Sequence, residues 1–506
     1  MAENAKENDV GKVIVYREIP YAVLSEDLPT YLKEDFFKEL GSIANFYNTY
    51  ESGAEFTPEG TNGDYTPSQL RFKKCKGLID KEARFLFANS PSFYVNKNKF
   101  TNEQEKEANT AVNDFIQTVF FKENHIGDKL LKAAKDCFIG KRVACMLNFN
   151  DKGISITFLK ALEFLYEEDG EGNLTKLIAF YTVLDTTNKK DKRIKKKAYT
   201  LEDGVCYVTE TLYDGLGNVV EEILPKTSTL FEYIPGVVIL NDGLTNESKG
   251  KSEIDQLDDY EENFSKLANA DLDAERKGMN ATRYTIDAAP ESTENLSSAP
   301  GAFWDLKSND VSANARTAQT GILEPSMSYS GPLGTTLERI DNQMHSQIDL
   351  PNLDSEHLQG MITSGKTLKA LYWGLIVRCD EKMLAWRPAL EFIVKCTLDG
   401  ARLYPESARA YMDITIEDIQ YDIEVENNYP LPEDEAEEKQ MDLAEVQAQT
   451  MSRKAYMKKW RELTDEEADE ELRQIVLEKQ LFEDSMIPMD RSEGEDQQDQ
   501  PEEEQQ

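Results

Sequence analysis

Histidine is scarce in this chain: His125, His345 and His357 are the only three among 506 residues. No two of them stand four apart and none adjoins a cysteine, so a helical zinc site is not expected. Cysteine is sparse as well. Cys75, Cys137, Cys145, Cys206, Cys379 and Cys396 are scattered without a CxxC pair, which argues for reduced thiols rather than a disulfide framework. Bases are outnumbered, 57 against 95 acids, giving a formal charge of −38. A protein that grips nucleic acid by neutralising phosphates needs a basic footprint, and none of that size is present. Such charge fits a solvated acidic surface, or a passage through which DNA slides without sticking. No apolar run approaches the ~20 residues of a membrane span. The opening MAENAKENDV lacks the apolar core of a signal peptide. The expectation is a protein of cytosol-like compartments, with no metal and no cofactor.

Catalytic constellations are also missing. There is no GxSxG, no HExxH and no EF-hand loop. One motif does match a pattern: GMITSGKT, residues 360–367, satisfies G-x-x-x-x-G-K-[ST]. A working P-loop follows a buried strand, which lets its backbone wrap phosphates at a helix N-terminus. Here DLPNLDSEHLQ precedes it, polar and broken by Pro351. The nearest acid that could hold magnesium, in LIVRCDE, falls on the same helix as the motif. A simpler reading is a helix start, with Thr363 or Ser364 as the N-cap. No enzyme is expected. A P-loop hydrolase stays as the rival, to be decided by whether a strand precedes Gly360.

What is present divides into two halves, and the length allows two to four domains. Helical spacing appears in YLKEDFFKELGSIANFYNTY, LRFKKCKGLIDKEARFLF, the stretch from Thr101, and IGDKLLKAAKDCFIG, which Gly140 would cap. From Arg142 the period becomes that of strands. RVACMLNFN, GISITFLKA, LTKLIAFYTVL, KKKAYTLED, GVCYVTETLYD, residues 218–223 and YIPGVVILND are separated by Asp-Gly turns. The basic run KKDKRIKKK, residues 189–197, is read as a solvated hairpin meeting an acidic neighbour, because it continues into strand AYTL.

In the second half, Ile254, Leu257, Tyr260, Phe264, Leu267 and Leu272 make one apolar stripe on a helix of about 25 residues. Its other faces carry Glu253, Asp255, Asp258, Asp259, Glu261 and Glu262. The stripe is too narrow for a core helix and too apolar for water, so neighbouring subunits are expected to cover it. An interval of weak periodicity follows, read as a small module with strands TRYTIDA and AFWDLK. Phe303 and Trp304 are its large apolar pair and a candidate docking anchor. A shorter helix over residues 333–348 leads to a polar loop carrying Asp349, Asn352, Asp354, Glu356 and His357. A long helix then contains Pro388, which predicts a kink near Leu384–Trp386. Strand-like DITIEDIQYDIEVE, three further helical stretches and an acidic tail of disordered composition complete the chain.

Four features in order resemble the portal proteins of bacteriophages with long non-contractile tails. They are IPGVVILNDGLTNESKGKSEI opening a long helix; the helix DQLDDYEENFSKLANADLDAERKGM; a loop followed by SGKTLKALYWGL; and MSRKAYMKKWRELTDEEADEELRQIVLEKQ near the end. Together they cover roughly residues 70–485, and the resemblance rests on their order. It implies a mainly helical α+β fold: wing (1–249), first stem helix (250–279), clip (280–331), second stem helix (332–348), tunnel loop (349–364), long kinked helix returning to the wing (365–432), crown (433–485) and tail (486–506). It also implies a dodecameric ring at one vertex of the virion capsid, built in the host cytoplasm. The implied partners are the major capsid protein, a scaffolding protein, terminase at the clip, a head-completion adaptor, and double-stranded DNA in the channel. No membrane is involved. The polar loop residues would face DNA, Phe303 and Trp304 would dock partners, and the apolar stripe would pack subunits. A non-ring acidic scaffold or adaptor is the second rival.

Overall fold

The computed structural model describes residues 23, 33–58, 66–96, 103–184, 192–242, 250–279, 282–294, 296, 304–309, 317–323, 327–352, 365–417, 419–431, 435–461 and 463–485. The chain divides into two compact units, residues 1–359 with 370–430, and residues 360–369 with 431–506.

The first unit is α+β. Its helices α1 (Lys33–Ser52), α2 (Lys74–Phe87), α3 (Glu103–Gln117) and α4 (Ile126–Gly140) precede the sheets. Each is amphipathic. In α4, Leu130, Ala133, Ala134, Cys137 and Phe138 recur at helical spacing and are all buried. A three-stranded antiparallel sheet has the order β3 (Gly153–Lys160), β2 (Arg142–Asn150), β9 (Gly236–Leu240). The central strand β2 is buried along its first six residues, as a two-sided strand requires. A five-stranded meander runs β4 (Phe164–Glu168), β5 (Leu174–Leu184), β6 (Lys192–Glu202), β7 (Val205–Tyr213), β8 (Val219–Ser228).

Two meander turns share one design. Asp169 and Asp214 each accept two backbone N–H bonds and the amide of an Asn four residues on, at 2.8–3.0 Å. This closes the repeated DGxGN sequence. On β6, Lys195 and Lys197 pair with Glu210 of β7 at 2.6 and 3.1 Å. The acidic neighbour expected for the basic run is therefore the adjacent strand.

Helix α5 (Ile254–Met279) leads to β10 (Thr282–Ile286), the short α6 (Pro290–Thr293) and β11 (Gln319–Leu323), which pairs antiparallel with β10. TRYTIDA forms the first of these strands as expected. AFWDLK does not: Trp304–Lys307 is not in a strand, and β10 finds its partner in Gln319–Leu323. Helix α7 (Ser330–Gln347) returns alongside α5. Helices α8 (Gly365–Leu371) and α9 (Trp373–Leu403) are separated at Tyr372, and α9 runs unbroken through Pro388. Tyr372 stacks on Phe85 at 5.6 Å, and Tyr429 stacks on the same ring at 5.2 Å. The helix is thus interrupted at an aromatic stack, and at Pro388 it continues although the proline lacks the N–H for one bond of the ladder. Helix α10 (Pro405–Arg409) and β12 (Ile423–Glu426) follow, β12 pairing with β1 (Ser92–Val95).

The second unit contains α11 (Glu435–Gln447), α12 (Arg453–Arg461) and α13 (Asp465–Ser485). Thr464 and Glu467 form a reciprocal capping box at the start of α13, with bonds of 2.9 and 3.3 Å.

Candidate functional site

The helix pair α5 and α7, with its root, carries the apolar stripe singled out in the sequence, Ile254, Leu257, Tyr260, Phe264 and Leu267. The root is a buried charge cluster. Glu82 on α2 and Glu253 just before α5 are fully buried, and Lys382 on α9 is 4% exposed. Arg378 Nε donates to Glu82 Oε1 at 2.8 Å, and its Nη2 donates to Glu253 Oε2 at 2.6 Å. Lys382 Nζ reaches Glu253 Oε1 at 2.6 Å and Asn241 Oδ1 at 2.8 Å, and lies 4.3 Å from the Phe138 ring centroid. Asp242 stands 3.4 Å from Lys382 and 3.8 Å from Arg378.

Burial raises the Glu253 carboxyl, but Lys382 and Arg378 overrule it and hold the group down at about 2. For Glu82 burial prevails and the shift is upward, with the negative charge of Glu253 adding to it. The geometry agrees, because Glu82 Oε2 is buried without a hydrogen-bond partner.

The chain enters α5 through this root. Gly250 adopts φ +69, Lys251 N–H donates to Asn241 O at 2.7 Å, and Glu253 N–H donates to Phe138 O at 2.9 Å. Ser252 Oγ donates to Ile139 O at 2.7 Å and accepts from Ile254 N–H at 3.1 Å, capping the helix.

Along α5 the buried face turns polar. Glu261, Ser265, Asn269 and Asp273 are spaced by four and all are buried. They bind the main chain of an extended segment, residues 68–73, running the opposite way. Ser68 N–H donates to both Asp273 oxygens at 3.1 Å, Leu70 N–H to Asn269 Oδ1 at 2.8 Å, and Phe72 N–H to Ser265 Oγ at 3.4 Å. Asn269 Nδ2 returns a bond to Leu70 O at 2.7 Å. Glu261 closes the series with bonds from Ala54 N–H at 2.8 Å and Cys75 N–H at 2.5 Å. The match is one of pitch. Four helical residues rise about 6 Å, and two extended residues advance about 6.6 Å, so every second amide meets every fourth side chain.

These facts revise the sequence reading of α5. Ile254 and Leu257 are fully covered by the chain itself, so they are not open to a neighbouring subunit. Tyr260, Phe264 and Leu267 are half-buried. Glu253 and Glu261, which lie on faces away from the apolar stripe, are buried as well. The physical reason is that each has hydrogen-bond donors arranged around it, which an apolar pattern does not reveal.

At the C-terminal end of α7, Asp349 is exposed at φ +51, beside Gly374 of α9. Asn352 donates to Asn342 Oδ1 at 2.9 Å and Asp341 Oδ2 at 3.3 Å, which ties the start of the loop back to α7. Asp341 also takes Lys74 of α2 at 2.5 Å. Asp354, Glu356, His357 and Phe303 lie outside the described residues, as does the segment just before Gly360; Trp304 is half-buried. Among the described residues no group of His, Cys, Asp and Glu could hold a metal ion, and no helix is long and apolar enough to cross a membrane.

The family model described as "Phage portal protein, SPP1 Gp6-like" matches residues 30–481. No curated protein matches the chain.

Proposed function

Since the chain belongs to the SPP1 Gp6-like phage portal protein family, and so has the general role of a DNA conduit in a phage head, we propose that its copies close into a ring around the DNA channel, with α5 and α7 as the stem. The observation that supports this best is the helix pair. It runs from a buried ionic root to the small β10–β11 sheet, in a chain of formal charge −38. Acidic walls repel phosphates and let a duplex move, whereas basic walls would hold it.

The finer reading follows the family. The ring is dodecameric and sits at one capsid vertex beside the major capsid and scaffolding proteins. The module from Thr282 to Leu323 receives terminase and later a head-completion adaptor, through Trp304 and Phe303. The loop after Asp349 gathers around the axis, because symmetry places every copy at the same radius. Electron micrographs of the purified protein test the ring directly, and closed annular particles are expected. A monodisperse monomer of 57.6 kDa in physiological salt would overturn the proposal.

On this reading the chain hydrolyses no nucleotide, and residues 360–367 supply a helix start rather than a phosphate cradle. Helix α8 begins at Gly365, a start that both readings share. Purified rings should show no ATP turnover above buffer, and Lys366→Ala should change nothing. Turnover that disappears with Lys366→Ala would restore the P-loop reading.

A further inference from the structure

Residues 68–73 are held to α5 chiefly through their backbone, and most of their side chains do little for the fold. Gln69, Leu70, Arg71 and Lys73 are exposed, Leu70 to 56%, while Ser68 is buried and takes a bond from Arg276 at 2.9 Å, and Phe72 packs edge-on to Phe264 at 5.3 Å. A carboxylate, a hydroxyl and an amide, with Glu261 holding Cys75 just beyond, are a large commitment of buried polar groups to a strip most of whose side chains are exposed. Such an arrangement fixes the strip in place for something outside the subunit.

The strip is also unusual in charge. RFKKCK, residues 71–76, has four bases and no acid in a chain of net charge −38. Lys74 pairs with Asp341, and Lys76 with Glu51 while lying over the Tyr50 ring. Arg71 meets Glu55 only at 3.3 Å, through a carboxylate 85% exposed, a contact of the kind that contributes little and exchanges readily.

The complementary surface lies on the same helix, nearer its start. Asp255 and Asp259 are exposed and Glu262 is half-buried, at spacings of four and three that place them on one flank. Asp258 beside them is raised by burial, and further by the charges of Asp259 and Asp255, so this end of the helix is crowded with negative charge. Every copy therefore presents a basic strip against the later turns of α5 and an acidic flank on the earlier turns. Two different complementary patches on one chain are the requirement for a head-to-tail contact that can close a ring.

We propose that the strip of one copy, with Leu70, Arg71 and Lys73, docks on the acidic flank of α5, with Asp255, Asp259 and Glu262, of a second copy. The inference rests on the ring reading above and adds the pairing of surfaces within it. Its test is a charge exchange. Arg71→Glu with Lys73→Glu places like charges together, and should raise the concentration needed for assembly by on the order of tenfold or more. Adding Asp255→Lys with Asp259→Lys to that same chain restores opposite charges and should restore assembly. Size-exclusion chromatography with light scattering reads the particle mass. Hydrogen exchange at the Leu70 and Phe72 amides checks that the clamp is intact in each variant. Wild-type rings that the first pair of substitutions leaves unchanged overturn this contact and leave the ring reading standing. Loss of rings with an intact clamp and no rescue by the second pair also overturns it, because the acidic partner is then elsewhere. A wild type that never forms rings refutes the ring reading itself.

Discussion

Lys382→Ala is expected to destabilise the first unit by about 3–5 kcal/mol, the usual cost of removing one partner from a buried ion pair. Lys382 is 4% exposed and touches Glu253 at 2.6 Å and Asn241 at 2.8 Å. Without it, Glu253 keeps only Arg378 as a cation, and both its oxygens stay out of water. The loss should appear as an earlier urea midpoint and as faster exchange of the Glu253 and Ile254 amides, which anchor the stem helix. Unchanged exchange there would show that the root does not depend on this lysine.

The same cluster predicts unequal outcomes for two identical substitutions. Three carboxylates (Glu82, Glu253 and Asp242) face two cations, so one carboxylate is in excess. Glu253 is held down at about 2. Its contribution is therefore present above the ordinary glutamate pKa of about 4.3 and is lost as pH falls through about 2. Glu82 is shifted upward. Its charged form works against folding at neutral pH, and that cost is relieved as pH falls through its raised value. Glu253→Gln should thus weaken the fold at neutral pH. Glu82→Gln keeps the acceptor for Arg378 and should change stability by roughly 1 kcal/mol or less.

How much of this was legible beforehand follows from what periodicity can carry. Strand β5 keeps the bounds its sequence predicts, and α5, expected over 250–279, starts four residues later, because both have long unambiguous patterns. The end of α4 at Gly140 was also read, yet the left-handed residue is Lys141, at φ 72. Pairing between β1 and β12 was not legible, since the strands are four residues long and more than 300 apart in sequence. A similar limit applies to the root. Arg378 and Lys382 stand four apart on the face of α9 that carries Leu375, Cys379, Met383 and Trp386, all buried. Two cations on a buried apolar face were a signal of buried acids. The acids they meet come from α2 and from the approach to α5, 296 and 125 residues away, and no local pattern joins them. Membership of the portal family, by contrast, was legible because it depends on the order of segments rather than on contacts.

Gly250→Ala should be the most damaging single-methyl change near the stem. Gly250 sits at φ +69, a region that costs an L-residue roughly 1–2 kcal/mol. An added Cβ would lie 2.3 Å from Lys141 O, 3.0 Å from Asn241 O and 3.2 Å from Asn241 N. All three are backbone atoms, so no side-chain rotation relieves the contact, and the repacking adds about 1–3 kcal/mol. The atoms are also committed elsewhere. Asn241 N–H donates to Lys141 O at 2.8 Å, and Asn241 O accepts from Lys251 N–H at 2.7 Å. Moving them pulls Asn241 from Lys382 and pulls Glu253 out of register with Arg378. The damage therefore passes from a turn to the ionic root, and from there to the first turn of α5. Glycine-to-alanine at Gly331, where nothing lies within 4 Å and φ is not positive, is the matched control and should be tolerated. In exchange measurements Gly250→Ala should release the Ile254 amide while leaving Leu147, at the centre of the three-stranded sheet, protected. Equal behaviour of the two variants would mean that the turn at Gly250 does not set the stem.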